Sequence, residues 1–152
     1  MQIIKDKQII DNTWTFVDDE SELIDGDIVI TLPRWIKDRD TLLSRTDRLG
    51  IHLEPADNTA DIADDLNHFE LIEVNFPVFT DGRAFSHARL LRDRYHYQGE
   101  IRATGNFMVD QIFYLTKVGV NAFELNDESL LPLALAVMDD FSADYRQVLF
   151  AH

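Results

Sequence analysis

The chain has 152 residues, 45% of them hydrophobic, which is enough for one domain with a core that needs no staples. Its 28 acids against 14 bases give a formal charge of −14, a field that opposes phosphate backbones and anionic lipid and predicts neither nucleic acid nor membrane as a partner. Cysteine is absent, which excludes a disulfide framework, a thiolate zinc or iron–sulfur site and a cysteine nucleophile, and predicts a cytoplasmic location.

Ile3-Ile4 and Gln8-Ile9-Ile10 flank Lys5-Asp6-Lys7 and predict a hairpin. Trp14 and Phe16 alternate with polar residues as on a half-buried strand, and Asp18 to Glu22 reads as a solvated loop. A strand-then-helix rhythm follows. Asp27 to Pro33 precedes a helical stretch from Ile36 to Arg48, and Gly50 to Pro55 precedes one from Thr59 to Phe69. Leu71 to Pro77 precedes Phe85 to Tyr95, and Gly99 to Thr104 precedes Phe107 to Val118. Ala122 to Leu125 precedes Leu130 to Phe141. This alternation predicts βαβ units and a mainly parallel sheet.

The expected fold is therefore one α/β domain over residues 1–152, with residues 1–22 as a hairpin-like β extension. Two closures fit it. An open three-layer sheet with helices on both faces is the default, because so short a chain supplies few units for eight strands. A partial barrel is the alternative.

In parallel sheets ligands bind beyond the carboxyl ends of strands. Reading those ends selects Thr80, Asp81 and Arg83 after the third strand, and Thr104 and Asn106 after the fourth. Asp81 and Asn106 also read as ordinary turn and cap residues. Arg83, Arg89, Arg92, Arg94 and Arg102 place five bases in one short segment. That cluster reads as an oxyanion site, with Arg89 and Arg102 as members, or as a solvated helix with local charge pairs. Glu73 and Asn75 share a strand face, as do Glu100, Arg102 and Thr104, and Glu124 lies on the fifth strand. Polar residues on covered strands need partners, so Arg102 is expected to pair with Glu73 or Glu124.

The stretch Phe107 to Val118 is apolar nearly all round, which predicts deep burial or a dimer contact anchored by Phe113 and Tyr114. No dinucleotide, phosphate-loop, nucleophile-elbow or zinc-protease motif is present. The five histidines show no ligand spacing, and Asp57 to Asp65 lacks the glycine and closing Glu of a calcium loop. No metal or cofactor is assigned.

Phe79-Thr-Asp-Gly-Arg-Ala-Phe-Ser-His-Ala-Arg-Leu-Leu-Arg92, continued by Gly99-Glu-Ile-Arg-Ala-Thr-Gly105, Asp110-Gln111 and Ala122-Phe-Glu-Leu125, resembles the bacterial family called domain of unknown function 934. The resemblance is closest over the second half of the chain. It implies work beside the haemoprotein subunit of sulfite reductase, next to which members are often encoded, and it carries over no catalytic residue. Two roles are expected from it and from the residues. One is an accessory protein of sulfate and sulfite reduction that binds a partner enzyme or its electron donor. The other is a small-molecule enzyme or oxyanion-binding domain.

Overall fold

The computed structural model describes residues 1–139. Strands β1 (Gln2–Lys5) and β2 (Gln8–Asp11) form the expected hairpin. Its turn residues Asp6 and Lys7 both take positive φ, the backbone that matches strand twist in a two-residue turn. Strand β3 (Thr15–Phe16) then pairs in parallel with β4 (Ile28–Thr31).

From β4 the βαβ rhythm holds. Helix α1 (Leu32–Leu43) starts four residues earlier than its apolar periodicity suggests, because Thr31 caps it by accepting from the Arg34 N–H and Pro33 sits in its first turn. Strand β5 (Leu49–Leu53) leads into 3₁₀ turns over Thr59–His68, and β6 (Leu71–Phe76) into α2 (Arg83–Arg89) with a π turn at Leu90–Arg94. Strand β7 (Glu100–Gly105) leads into α3 (Ile112–Lys117), and β8 (Ala122–Phe123) into helical residues 131–139. Phe141, the expected end of that last helix, lies outside the described residues.

All eight strands form one sheet in the order β2-β1-β8-β7-β6-β5-β4-β3. The pairs from β3 to β8 are parallel, and β1 is antiparallel to both β2 and β8. Because β3 to β8 follow one another without reversal, right-handed crossovers put the connecting helices on one side. Ile30, Ile51, Ile72, Val74 and Phe76 from the strands accordingly share a core with Trp35, Ile62, Ala88, Leu91 and Leu115 from the helical segments. The open sheet with helices on both faces, expected by default, is thus replaced by the partial barrel.

A short connection measures the curl. Strands β2 and β3 lie at opposite edges of the sheet, yet only Asn12, Thr13 and Trp14 separate them. Flat, eight strands at ~4.8 Å spacing would hold those edges about 34 Å apart. Four residue steps reach about 14 Å at most. The sheet must therefore roll until its edges nearly meet. The default failed because it counted only βαβ units, whereas the hairpin supplies two further strands.

The stretch expected to be apolar all round is less buried than its composition suggests. Ile112 and Leu115 enter the core, while Met108 and Tyr114 are exposed.

Candidate functional site in the rolled sheet

The inner face of the sheet begins as ordinary core. Val29, Gly50 and Leu71 are neighbours across β4, β5 and β6. A Cβ on Gly50 would lie 3.2 Å from both Leu71 and Val29, so the interior is full at this level.

One step along the strands the chemistry changes. Thr31, His52, Glu73 and Arg102 are in register across β4 to β7, and Asn75 pairs with Thr104 one pleat further on. Glu73 and Arg102 therefore share one face, which the alternation within each strand alone did not establish. The interior of a closed parallel barrel is normally filled by branched aliphatic residues. Here a cavity of about 530 Å³ is lined by His52, Glu54, Glu73, Asn75, Thr104, Gly105 and Glu124, with Asn12 and Trp14 from the connection between the sheet edges and Phe16 from β3.

Arg102 anchors the wall. Its guanidinium donates to Glu100 through Nε at 2.9 Å and Nη2 at 2.7 Å, and to Asn12 Oδ1 at 3.1 Å. Glu73 lies 3.7 Å from Nη1, and Lys5 reaches Glu100 from β1 at 3.2 Å. Arg102 is only 1% exposed; the expected partner Glu73 is present but secondary to Glu100.

His52 sits between two carboxylates, with Nδ1 2.8 Å from Glu73 and Nε2 2.9 Å from Glu54. Burial opposes its charge, but hydrogen bonds and attraction from both carboxylates outweigh burial and raise its pKa above the ordinary histidine value. Asn75 donates to both Glu54 oxygens, at 3.1 and 3.0 Å, and accepts from Thr104 Oγ1 at 3.0 Å. Phe16 packs edge-on against His52 with centroids 5.4 Å apart.

Glu124 differs from the other carboxyls of the wall. Among the described residues its side chain makes no hydrogen bond. Burial, with the Glu73 charge adding to it, raises its pKa against the opposing pull of Arg102 and His52. Gly105 stands beside it at φ +91°, where a Cβ would strike the Phe76 carbonyl and lie 2.6 Å from Asn75 Oδ1. Only glycine fits there.

The residues expected to form a site from strand-end reading do not converge. Thr80 is exposed. Asp81 and Arg83 form a local pair at 2.6 Å on the surface, with the Arg83 side chain 61% exposed. Hydrogen bonds from that guanidinium and from the Arg83 N–H hold the Asp81 carboxyl down at about 2. Arg89 is exposed on α2. Arg92 is spent on the carbonyls of Gly119, Tyr97 and Gly99, and Arg94 lies over the Tyr95 ring. Asn106 binds the Pro77 carbonyl and Asn126 beside a second, more apolar hollow. Only Arg102 and Thr104 belong to the inner face.

His52 and Glu54 escaped sequence reading, although Gly50-Ile-His-Leu-Glu carries the polar alternation that had drawn attention to β6 and β7. Among the described residues no group of three or more His, Cys, Asp or Glu is placed to hold a metal ion, and no helix is long and apolar enough to cross a membrane.

Fold and site together define a rolled, mainly parallel α/β domain with a charged cavity inside the sheet. The chain belongs to the family described as "Bacterial protein of unknown function (DUF934)", whose family model matches residues 50–151. That span begins at β5, so it contains the His52–Glu73–Arg102 row but not Trp14 or Phe16. No curated protein matches the chain.

Proposed function

We propose that the cavity of the rolled sheet is a small-molecule site with acid–base chemistry, and that Glu124 is the group that gives or takes the proton. One observation carries this reading: His52, Glu54, Glu73 and Glu124 line a hollow where a purely structural interior would be aliphatic and filled. Burying charge is costly unless every group is paired, and this wall pairs all of its groups except Glu124. The cavity volume falls within the ~300–1,000 Å³ usual for ligand sites. A carboxyl with a raised pKa and a free edge is suited to proton transfer.

The test uses Trp14, one of two tryptophans in the chain and the one that lines the cavity. Protein carrying 5-fluorotryptophan gives two ¹⁹F signals, assigned through Trp14→Phe. A broad panel of small polar metabolites is expected to contain members that shift the Trp14 signal and raise the melting temperature. A panel that moves neither overturns the reading.

The surface supports a second role of another class. Val78, Phe79 and Met108 are exposed, and their loops are pinned together where Gln111 binds the Phe79 carbonyl at 2.9 Å and Asn106 that of Pro77 at 2.7 Å. Such a patch suits partner docking. The partner named by the family resemblance is the haemoprotein subunit of sulfite reductase, which makes the chain an accessory protein of cytoplasmic sulfate and sulfite reduction. Pull-down of that subunit, lost in Phe79→Asp, supports the role; no capture by wild type ends it. A dimer through Phe107–Val118 would use Tyr114, which is 61% exposed. Light scattering at the monomer mass removes it.

A further inference from the structure

We infer that the ligand of this cavity is a small organic cation, an ammonium or guanidinium on a short carbon frame, rather than an oxyanion. The inference rests on the cavity being a ligand site and adds the ligand's charge and donor pattern.

The positive groups of the wall are turned inward and already satisfied. Arg102 gives two hydrogen bonds to Glu100 and one to Asn12. His52 has a carboxylate at each ring nitrogen. An oxyanion entering here would find the Asn75 amide and the Thr104 hydroxyl engaged as well. An unanswered anion in a partly desolvated site is costly.

Acceptor capacity, in contrast, is in surplus. Glu124 has two oxygens without a hydrogen-bond partner among the described residues, and the Glu54 side chain is 47% exposed. A carboxylate offers about four acceptor positions, so both groups have room for a ligand's N–H donors. Trp14 and Phe16 add aromatic surface to the wall. The Trp14 ring already holds the Arg48 guanidinium 4.8 Å from its centroid, and Phe16 is half exposed. Aromatic faces beside carboxylates form a favourable surround for an organic cation. The chain's charge of −14 raises the local concentration of cations in the same direction.

The experiment compares ligands that share one carbon frame: benzylamine, benzyl alcohol and benzoate, with agmatine and butanol as an aliphatic pair. Each is titrated into the full-length fluorotryptophan protein while the Trp14 signal is followed. Benzylamine and agmatine are expected to bind at least tenfold more tightly than their neutral counterparts, and benzoate not to shift the signal. Glu124→Gln, which keeps the shape of the side chain, should reduce the amine preference about tenfold without lowering the melting temperature. If benzyl alcohol or benzoate binds as well as benzylamine, the cation assignment fails while the cavity remains a ligand site. An amine preference unchanged in Glu124→Gln also overturns the assignment. If metabolites of the broader panel shift Trp14 and no amine does, the assignment again fails alone; silence from both panels removes the cavity reading with it.

Discussion

Replacing Arg102 by methionine is the most direct trial of the inner wall. The substitution keeps an apolar stem of similar length and removes the guanidinium that bridges Glu100, Asn12 and the neighbourhood of Glu73. Breaking a buried pair by deleting one partner costs about 3–5 kcal/mol, because the remaining charge is stranded. Lys5 still reaches Glu100, and His52 still holds Glu73, so the lower end applies. For a domain near 150 residues each kcal/mol is worth about 2–4 °C, which gives a fall in melting temperature of roughly 6–12 °C at pH 7. The sign of the pH effect follows from the stranded carboxylates. Without Arg102 their protonated forms are favoured in the folded state, so the deficit narrows as the pH falls toward 5. Adding Glu73→Gln and Glu100→Gln to the variant should recover part of the loss, since removing a buried charge set together is often close to neutral. Circular dichroism melts and urea titrations at pH 5 and pH 7 measure all of this. A loss below about 1 kcal/mol at pH 7, or one that does not change with pH, would refute the account of Arg102 as the anchor of the wall.

Three further outcomes are expected. His52 has a folded-state pKa above its ordinary value of 6.5, so its contribution to stability is complete below that pH and is lost as the pH rises through the folded value; imidazole NMR titration should show the raised midpoint, and His52→Gln should flatten the stability profile above neutrality. Gly105→Ala should cost at least about 1–2 kcal/mol from the left-handed backbone alone, with more from the collision with the Phe76 carbonyl; a melting temperature equal to wild type would contradict that geometry. Glu124→Gln should stabilise the protein at pH 7 by about 0.5 kcal/mol, a modest gain because the group keeps some access to solvent, and the gain should vanish near pH 4, where the native carboxyl is already protonated.

The strand-then-helix rhythm was legible because the strands from β4 to β8 are short runs that soon meet Pro, Gly or Asn, as in Leu71 to Pro77. The curl was not, because it depends on which strands sit at the edges. The pairing of β1 with β8 joins Ile4 to Phe123, and no local pattern announces such a contact. The site was half legible for the same reason. Period-two alternation marked Glu73, Asn75, Arg102 and Thr104 as polar residues on covered strands, but whether two strands present the same face is a matter of register. His52 was passed over because histidines were judged by spacing along the chain, whereas its partners are Glu73 on the adjacent strand and Glu54 two positions on. The arginine cluster misled in the opposite way: neighbours in sequence from Arg83 to Arg102 point to the surface, to backbone carbonyls and to the interior in turn.

The same β1–β8 pairing bears on how the chain is made. Strand β1 is synthesised before the other strands of the sheet, yet the strand that covers its inner edge lies about 120 residues later. At ~5–20 residues per second, the hairpin waits roughly 6–24 s with Ile3 and Ile4 unburied while the parallel strands are synthesised. Closure of the barrel is therefore a late event in biosynthesis, and the N-terminal hairpin is the segment most exposed to chaperones and to mispairing before β8 arrives.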